Sequence, residues 1–382
     1  MKIAIINSLY YPYKFGGAEV SVQLLAEGLA AKGHNVKVIT LNDKLEITRY
    51  DLNGVSVISY PIKNEYWPFA KGEYSSIRKI KWHLRDYITN PIVRDIAAEL
   101  KLYNPDVIHT NNLAGFSIGI WKIAKKLSCP LVHTTRDYYL FHPNSTLFKN
   151  GQNISSNDFF VKVYSWIKKR HSQKIDIMVG ISNYISVFHQ SNGFAKEAKH
   201  TYVYNPIERI MAERCQRERI TIGFLGRLSS EKGFDVFTEY ANLYKNDMDF
   251  VAAGQFSSSK ETDKLRQKAK ENNIRLEGYI PVRDFLSNVD VLLLPTKWNE
   301  PFGRVVAEAA VAGIPVYTNL TGGVKEIGEY FPWVQDISKF SLSNIKKTVS
   351  CVDTESVANP FSQDFLSQKY IEIYNEAIYK HV

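Results

Sequence analysis

Cysteine is scarce in this chain of 382 residues: Cys129, Cys215 and Cys351 stand far apart, without C-x-x-C spacing. That excludes a disulfide framework and a thiolate metal cluster, and it fits a reducing compartment. Also lacking is any run of about 18 apolar residues that could span a bilayer. The opening Met1-Lys2-Ile3-Ala4-Ile5-Ile6-Asn7 is a short buried strand rather than a secretory leader. No zinc-finger spacing, RNP-like signature or basic tail occurs, so no nucleic-acid partner is expected. No low-complexity linker interrupts the chain. The expectation is a cytoplasmic protein, free or peripheral on the inner face of a membrane.

What is present is enough apolar material for two cores. Hydrophobic residues make up 45% of the chain, and one core usually stops growing at about 250–300 residues. Charge is uneven: residues 1–205 carry +11 and residues 206–382 carry −2, within the total of +9. Part of the basic excess lies in Ser76-Ile77-Arg78-Lys79-Ile80-Lys81-Trp82-His83-Leu84-Arg85. There Ile77, Ile80, Leu84 and Ile88 recur at helical spacing, and Arg78, Lys79, Lys81 and Arg85 fill other faces. A basic amphipathic helix with Trp is a candidate for lying on an anionic membrane surface. The alternative is a core-packed helix with a solvated basic face.

Strand and helix patterns alternate through both halves. Lys2–Ile6 reads as a strand, Gly17–Lys32 as a helix stopped by Gly33, and Val36–Thr40 as the next strand. Further strands are expected at 55–60, 107–110, 131–135, 177–181 and 200–203. The pattern restarts at 220–225 and continues at 249–253, 274–277, 291–295 and 315–318. This predicts an α/β protein of two doubly wound, Rossmann-like domains facing each other across a cleft. The expected bounds are 1–205 and 206–362, the junction lying near Asn205–Arg219.

Chemistry concentrates where strands give way to helices. Val291-Leu292-Leu293-Leu294-Pro295 leads to Glu300-Pro301-Phe302-Gly303-Arg304-Val305-Val306-Ala307-Glu308, with two carboxylates eight positions apart. A helix start at the carboxyl end of a strand offers free N–H groups and a positive dipole end to an anion. Ionised carboxylates accept hydrogen bonds from sugar hydroxyls. A nucleotide sugar supplies both kinds of group. Earlier, the strand Ile222-Gly223-Phe224-Leu225 ends in Gly226, Arg227 follows at once, and Lys232 comes near the next helix start. Two such cations can neutralise a diphosphate, Arg as a fork and Lys as a movable point charge. Gly16-Gly17 stands at the first βα turn, where missing side chains allow close approach of a ligand. Asp247-Met248-Asp249 precedes a strand and reads as a solvated turn rather than a metal site.

Together these pieces resemble the family-4 retaining glycosyltransferases of the GT-B fold. The resemblance rests on Phe15-Gly16-Gly17-Ala18-Glu19, Asn205-Pro206, Gly226-Arg227 with Lys232-Gly233, Glu300 with Glu308, and Gly322-Gly323-Val324-Lys325-Glu326-Ile327. It spans nearly the whole chain. It implies transfer of a sugar from a nucleotide-sugar donor to an acceptor hydroxyl, with retention at the anomeric carbon and no enzyme nucleophile required. Arg227, Lys232 and Glu300 form the implied catalytic set. Arg227 and Lys232 would hold the diphosphate, and Glu300 would touch the transferred sugar. Gly16, Gly17, Gly226, Phe302, Gly303, Arg304 and Glu308 would bind the donor, with Glu308 on the ribose hydroxyls. No metal or other cofactor is expected, and a last helix, 363–382, would cross back onto the first domain.

The chain departs from the family at Arg136-Asp137, where Arg136 stands in place of the usual His. Arg136, Asp137, His109 and His133 are the expected acceptor or sugar-lining residues. The expected acceptor is a lipid-linked saccharide in surface-polysaccharide assembly. A soluble acceptor, a nucleotide-sugar epimerase of the same fold and a non-catalytic sugar-binding protein are the alternatives.

Overall fold

A computed structural model of the chain describes residues 1–13, 16–69, 74–88, 90–210, 217–256, 260–352 and 357–381. Phe15, Cys215 and part of the expected junction lie outside the described residues. The chain divides into two compact units. The first comprises Met1–Leu147, Ser155–Pro206 and Phe361–Val382; the second comprises Phe148–Ile154 and Ile207–Pro360.

The first unit is built on β1 (Lys2–Ile6), β2 (Asn35–Asn42), β3 (Thr48–Leu52), β4 (Val55–Pro61), β5 (Val107–Thr110) and β6 (Leu131–Thr135). A two-strand hairpin follows, β7 (Phe148–Lys149) with β8 (Gln152–Asn153), and the sheet resumes with β9 (Ile177–Gly180) and β10 (Lys199–Tyr202). The spatial order is β10-β9-β6-β5-β1-β2-β4-β3. All pairings in it are parallel except β3 with β4. Parallel strands covered on both faces need continuous apolar runs, and Ile3, Ala4, Ile5 and Ile6 are accordingly all fully buried.

The second unit holds β11 (Thr221–Leu225), β12 (Asp249–Ala253), β13 (Arg275–Gly278), β14 (Val291–Leu294), β15 (Val316–Thr318) and β16 (Val334–Asp336). Their order is β13-β12-β11-β14-β15-β16, parallel throughout. Each sheet grows outward in both directions from a central pair, β1 with β5 in the first and β11 with β14 in the second. At such a topological switch point the loops leaving adjacent strands diverge and open a crevice for a ligand.

The last helix, Gln363–Tyr379, packs within the first unit. Gly28 makes that contact possible: a Cβ there would lie 2.2 Å from Ser367 Oγ. Gln363 Nε2 donates to Leu24 O at 2.6 Å, and Tyr370 and Tyr374 reach Thr134 and His109.

Several features differ from the sequence expectation, among them β16 (Val334–Asp336), which was not anticipated. β3 was not anticipated, because Thr48-Arg49-Tyr50-Asp51-Leu52 carries charges that an exposed edge strand tolerates. The hairpin β7–β8 joins the second unit, where Asn153 Nδ2 donates to Lys297 O at 3.0 Å and Asn299 N donates to Asn153 Oδ1 at 3.0 Å. In the basic helix, Ser76–Ile88, Trp82 turns inward and donates from Nε1 to Tyr66 O at 3.1 Å. Among its described side chains, the large apolar ones left outside are Ile77, Ile80 and Leu84.

Candidate active site

In the second unit the loops after β11 and β14 flank the switch point, and they carry the expected catalytic residues. β11 ends at Leu225. Gly226 then takes φ +140°, and Gly254, at the end of β12, takes φ +143°. A Cβ on Gly254 would lie 1.7 Å from Gly226 O, so this loop lies tight against its neighbour strand. Gly254→Ala is therefore expected to displace Gly226-Arg227 and to destabilise the unit by about 2 kcal/mol or more. Thermal unfolding with a parallel nucleotide titration measures both effects.

Ser229 starts a short 3-10 turn, Ser230–Lys232, closed by Gly233 at φ +80°. Gly233 also forms the start of helix Phe234–Tyr244, and a Cβ there would lie 1.9 Å from Pro295 O. The close approach joins the two loops, and it brings Lys232 to Glu300 with Nζ to Oε1 at 2.8 Å. Lys232 Nζ also lies 4.9 Å from the centre of the Trp298 ring. A lysine ammonium has three donors, so Lys232 can keep Glu300 and still meet a phosphate. Arg227 lies in the same loop, largely exposed, and pairs with Glu231 at 2.9 Å. Lys297 pairs with Asp235 and donates its backbone N–H to Glu231 O at 3.0 Å. Two buried hydroxyls of these loops, Ser229 Oγ and Thr296 Oγ1, make no hydrogen bond within the protein.

Glu300 is held by its backbone. Gly323 N donates to Glu300 O at 2.8 Å, and a Cβ on Gly322, at φ +59°, would lie 2.3 Å from the same oxygen. The Gly322-Gly323 pair thus has a structural reason: it lets a second loop clamp the one bearing Glu300. Phe302 is buried, and Gly303 at φ +95° caps helix Arg304–Val311. That helix start points its free N–H groups into the same strand end. One turn in, Arg304 Nε meets Glu308 Oε1 at 2.7 Å, both nearly buried. Burial pushes the Glu308 carboxyl above its ordinary range, and Arg304 opposes the shift. The fork of Arg304 holds one oxygen of a carboxylate that the sequence reading assigned to ribose.

In the first unit, Gly16 caps helix Gly17–Ala31, and its N–H donates to the Glu19 carboxylate one turn on. These residues follow β1, on one side of the first sheet's switch point. Arg136 follows β6 and is buried. Its Nε donates to Asn111 Oδ1 at 2.9 Å and its Nη1 to Asn205 Oδ1 at 2.6 Å. Asn205-Pro206 thereby gains a function the sequence did not disclose, as a neutral holder of a buried guanidinium. Asp137 is half-buried, accepts from Tyr139 N at 2.7 Å, and is pushed up to about 6 by desolvation.

His109 and His133 are not placed as lining residues. His109 is fully buried, bonded to Thr134 at 2.7 Å and to Tyr374 at 2.7 Å. His133 is buried against Trp121 and bonded to Thr110 at 2.9 Å. Desolvation pushes His133 down to about 3 and His109 well below the usual histidine range. Both are neutral structural groups, buried within β5 and β6. Sequence reasoning also missed Asn111, Asn153, Trp298 and Asp235; single uncharged or isolated side chains in loops carry no periodic signal.

Two doubly wound sheets, the second with cations and carboxylates at its switch point, define an α/β protein built to hold an anionic ligand at its strand ends. Residues 15–209 match the model of Glycosyltransferase Family 4, and residues 208–329 match that of Glycosyl transferases group 1. The chain is 41% identical over 378 residues to an "Uncharacterized 42.6 kDa protein in cps region" of Klebsiella pneumoniae, covering 98% of this chain and 100% of that one. Among solved structures it superposes on Anabaena Alr3699/HepE in complex with UDP and glucose with a TM-score of 0.69, 15% identity, and coverage of 98% and 100%. It superposes on sucrose-phosphate synthase from Thermosynechococcus elongatus with a TM-score of 0.65, 15% identity, and 98% coverage of both chains. The chain belongs to the family-4, group 1 glycosyltransferases and has the GT-B fold.

Proposed function

We propose that this glycosyltransferase moves a sugar from a nucleoside-diphosphate donor, with retention, to a hydroxyl of a lipid-linked saccharide during surface-polysaccharide assembly. The observation that carries the donor half is the Lys232–Glu300 pair at the switch point of the second sheet, flanked by Arg227 and by the start of helix Arg304–Val311. In this reading Lys232 and Arg227 neutralise the diphosphate as it leaves, in place of a divalent ion. Negative charge grows on the leaving group in the transition state, so cations already fixed there lower the barrier. Glu300 accepts from the sugar hydroxyls. Glu308, steered by Arg304, accepts from the ribose. The acceptor oxygen attacks on the face the diphosphate leaves, and a donor phosphate oxygen takes its proton, so no side chain becomes glycosylated. The structural relative bound to UDP and glucose supports a uridine carrier, and the relative from a cps region supports the pathway. No helix among the described residues is long and apolar enough to cross a membrane, so a lipid-linked acceptor would have to be met at a bilayer surface.

Calorimetric titration of UDP, GDP, dTDP and ADP with EDTA present tests the donor half. One nucleotide is expected to bind without metal, and Arg227→Ala and Glu308→Ala are each expected to weaken it by about ten- to a hundredfold, the loss of one charge-assisted hydrogen bond. If folded protein binds none of the four, the donor site is misassigned.

A further inference from the structure

In the first unit, helix Phe159–Ser172 packs beside the basic helix Ser76–Ile88. Tyr87 Oη donates to Tyr164 O at 2.6 Å, and the Tyr164 ring lies 5.2 Å from that of Tyr87 and 6.1 Å from that of His83. Lys168, fully buried, donates to Tyr139 O at 2.6 Å and to Tyr164 Oη at 3.1 Å, which fixes the inner face of the second helix. The outer faces are unusual. Phe159 is 81% exposed, Trp166 61%, Val163 59% and Phe160 53%; across the seam Ile77 is 68% exposed, Ile80 59% and Leu84 57%. At about 100° per residue, Phe160 and Val163 lie between Tyr164 and the outward direction of their helix. Ile80 and Leu84 lie likewise between His83 and the outward direction of theirs. The two rows therefore border one seam.

A contiguous apolar face of this kind on a soluble unit marks an interaction surface. Its charge selects the partner. Arg78, Lys79, Lys81 and Arg85 stand on one helix and Lys162, Lys169 and Arg170 on the other; against them stand Glu65, which pairs with Arg85 at 3.3 Å, and Asp158, which caps the second helix, while the one carboxylate within either helix, Asp86, is buried. Lys122, Arg170 and Lys174 gather near the end of the second helix, close enough to push His171 and Lys174 down after desolvation has done so. Aromatic and aliphatic side chains ringed by cations match the interface of an anionic bilayer, where rings enter the headgroup boundary and cations meet lipid phosphates.

We infer that the paired outer faces of helices Ser76–Ile88 and Phe159–Ser172 form a docking surface for an anionic membrane. The sequence pointed to one helix and to Trp82, which is buried; the structure adds the second helix and makes Phe159, Phe160 and Trp166 the inserting groups. This deepens the proposed function, resting on its lipid-linked acceptor for the purpose of docking, but the surface owes nothing to the donor site.

The test is vesicle sedimentation of the full chain at low and high salt. The vesicles are phosphatidylcholine alone or an equal mixture with phosphatidylglycerol. Wild type is expected on the mixed vesicles at low salt and to be released by high salt. Phe159→Ser with Trp166→Ser, both exposed positions, is expected to lower vesicle affinity about tenfold or more with unchanged melting and UDP binding. Lys162→Gln with Arg170→Gln is expected to lower it and to flatten the salt dependence. Equal binding to both vesicle types, or binding indifferent to both double substitutions, would overturn the inference. So would a wild-type protein that ignores vesicles and self-associates until Trp166→Ser disperses it. Vesicle binding that persists where no nucleotide binds would strike the donor reading and leave this one standing.

Discussion

Lys232→Ala is expected to lower turnover by about a hundredfold or more while leaving the fold intact. Two losses coincide. In the proposed reaction the leaving diphosphate loses a cation whose contribution grows toward the transition state, and removing one such preorganised group costs on the order of 10²–10³ in rate. Glu300, 19% exposed and now unpaired, also loses the partner 2.8 Å away that positions it. Lys232→Arg should recover part of the loss, since charge is kept, but not all of it, because a longer, planar guanidinium meets Glu300 and a phosphate in a different geometry from a compact ammonium with three rotatable donors. Initial rates of nucleotide release from the donor that the calorimetry identifies, with circular dichroism as the fold control, decide the matter. Turnover within about threefold of wild type for Lys232→Ala would mean that the pair is only a surface salt bridge.

Deleting Phe361–Val382 is expected to abolish the cooperative unfolding of the first unit. Phe361, Leu366, Tyr370, Ile373 and Tyr374 are all buried there. Each buried large side chain contributes about 1.5–3 kcal/mol, so five together are comparable with the roughly 5–15 kcal/mol that holds a domain folded. The deletion also strands His109, buried and bonded to Tyr374. Scanning calorimetry of the truncated chain should retain a transition for the second unit and lose that of the first. Two intact transitions would show that the helix is an ornament to a unit stable without it.

Much of this was legible in the sequence because the governing patterns are local. Apolar runs such as Ile3–Ile6 and Val291–Leu294 announce parallel strands, and the glycines at 226, 233, 303 and 322 mark turns that need positive φ. The Arg227–Lys232 and Glu300–Glu308 segments could be paired because each follows a strand, although only the sheet order brings both to one switch point. What stayed hidden depends on contacts between distant residues. His109 and His133 lie within β5 and β6, and their burial among the strands and under the last helix is visible only in the fold. Arg136 could have met Asp137, yet Asn111 and Asn205 take it, from segments 25 and 69 residues away. The outward Phe159, Phe160 and Trp166 carry no sequence signal of their own, since it is the buried Lys168 and Tyr164 that fix which face of their helix turns in.

The hairpin Phe148–Ile154 bears on how such a chain could be recombined. Its Asn153 is bonded on both sides to the segment Lys297–Asn299, directly before Glu300. A chimaera cut at residue 206 would inherit this hairpin with one parent and the loop it braces with the other. Successful exchange of second units between relatives should therefore carry residues 148–154 as a separate cassette, so the heritable module, and with it donor choice under the proposed function, is discontinuous in the gene.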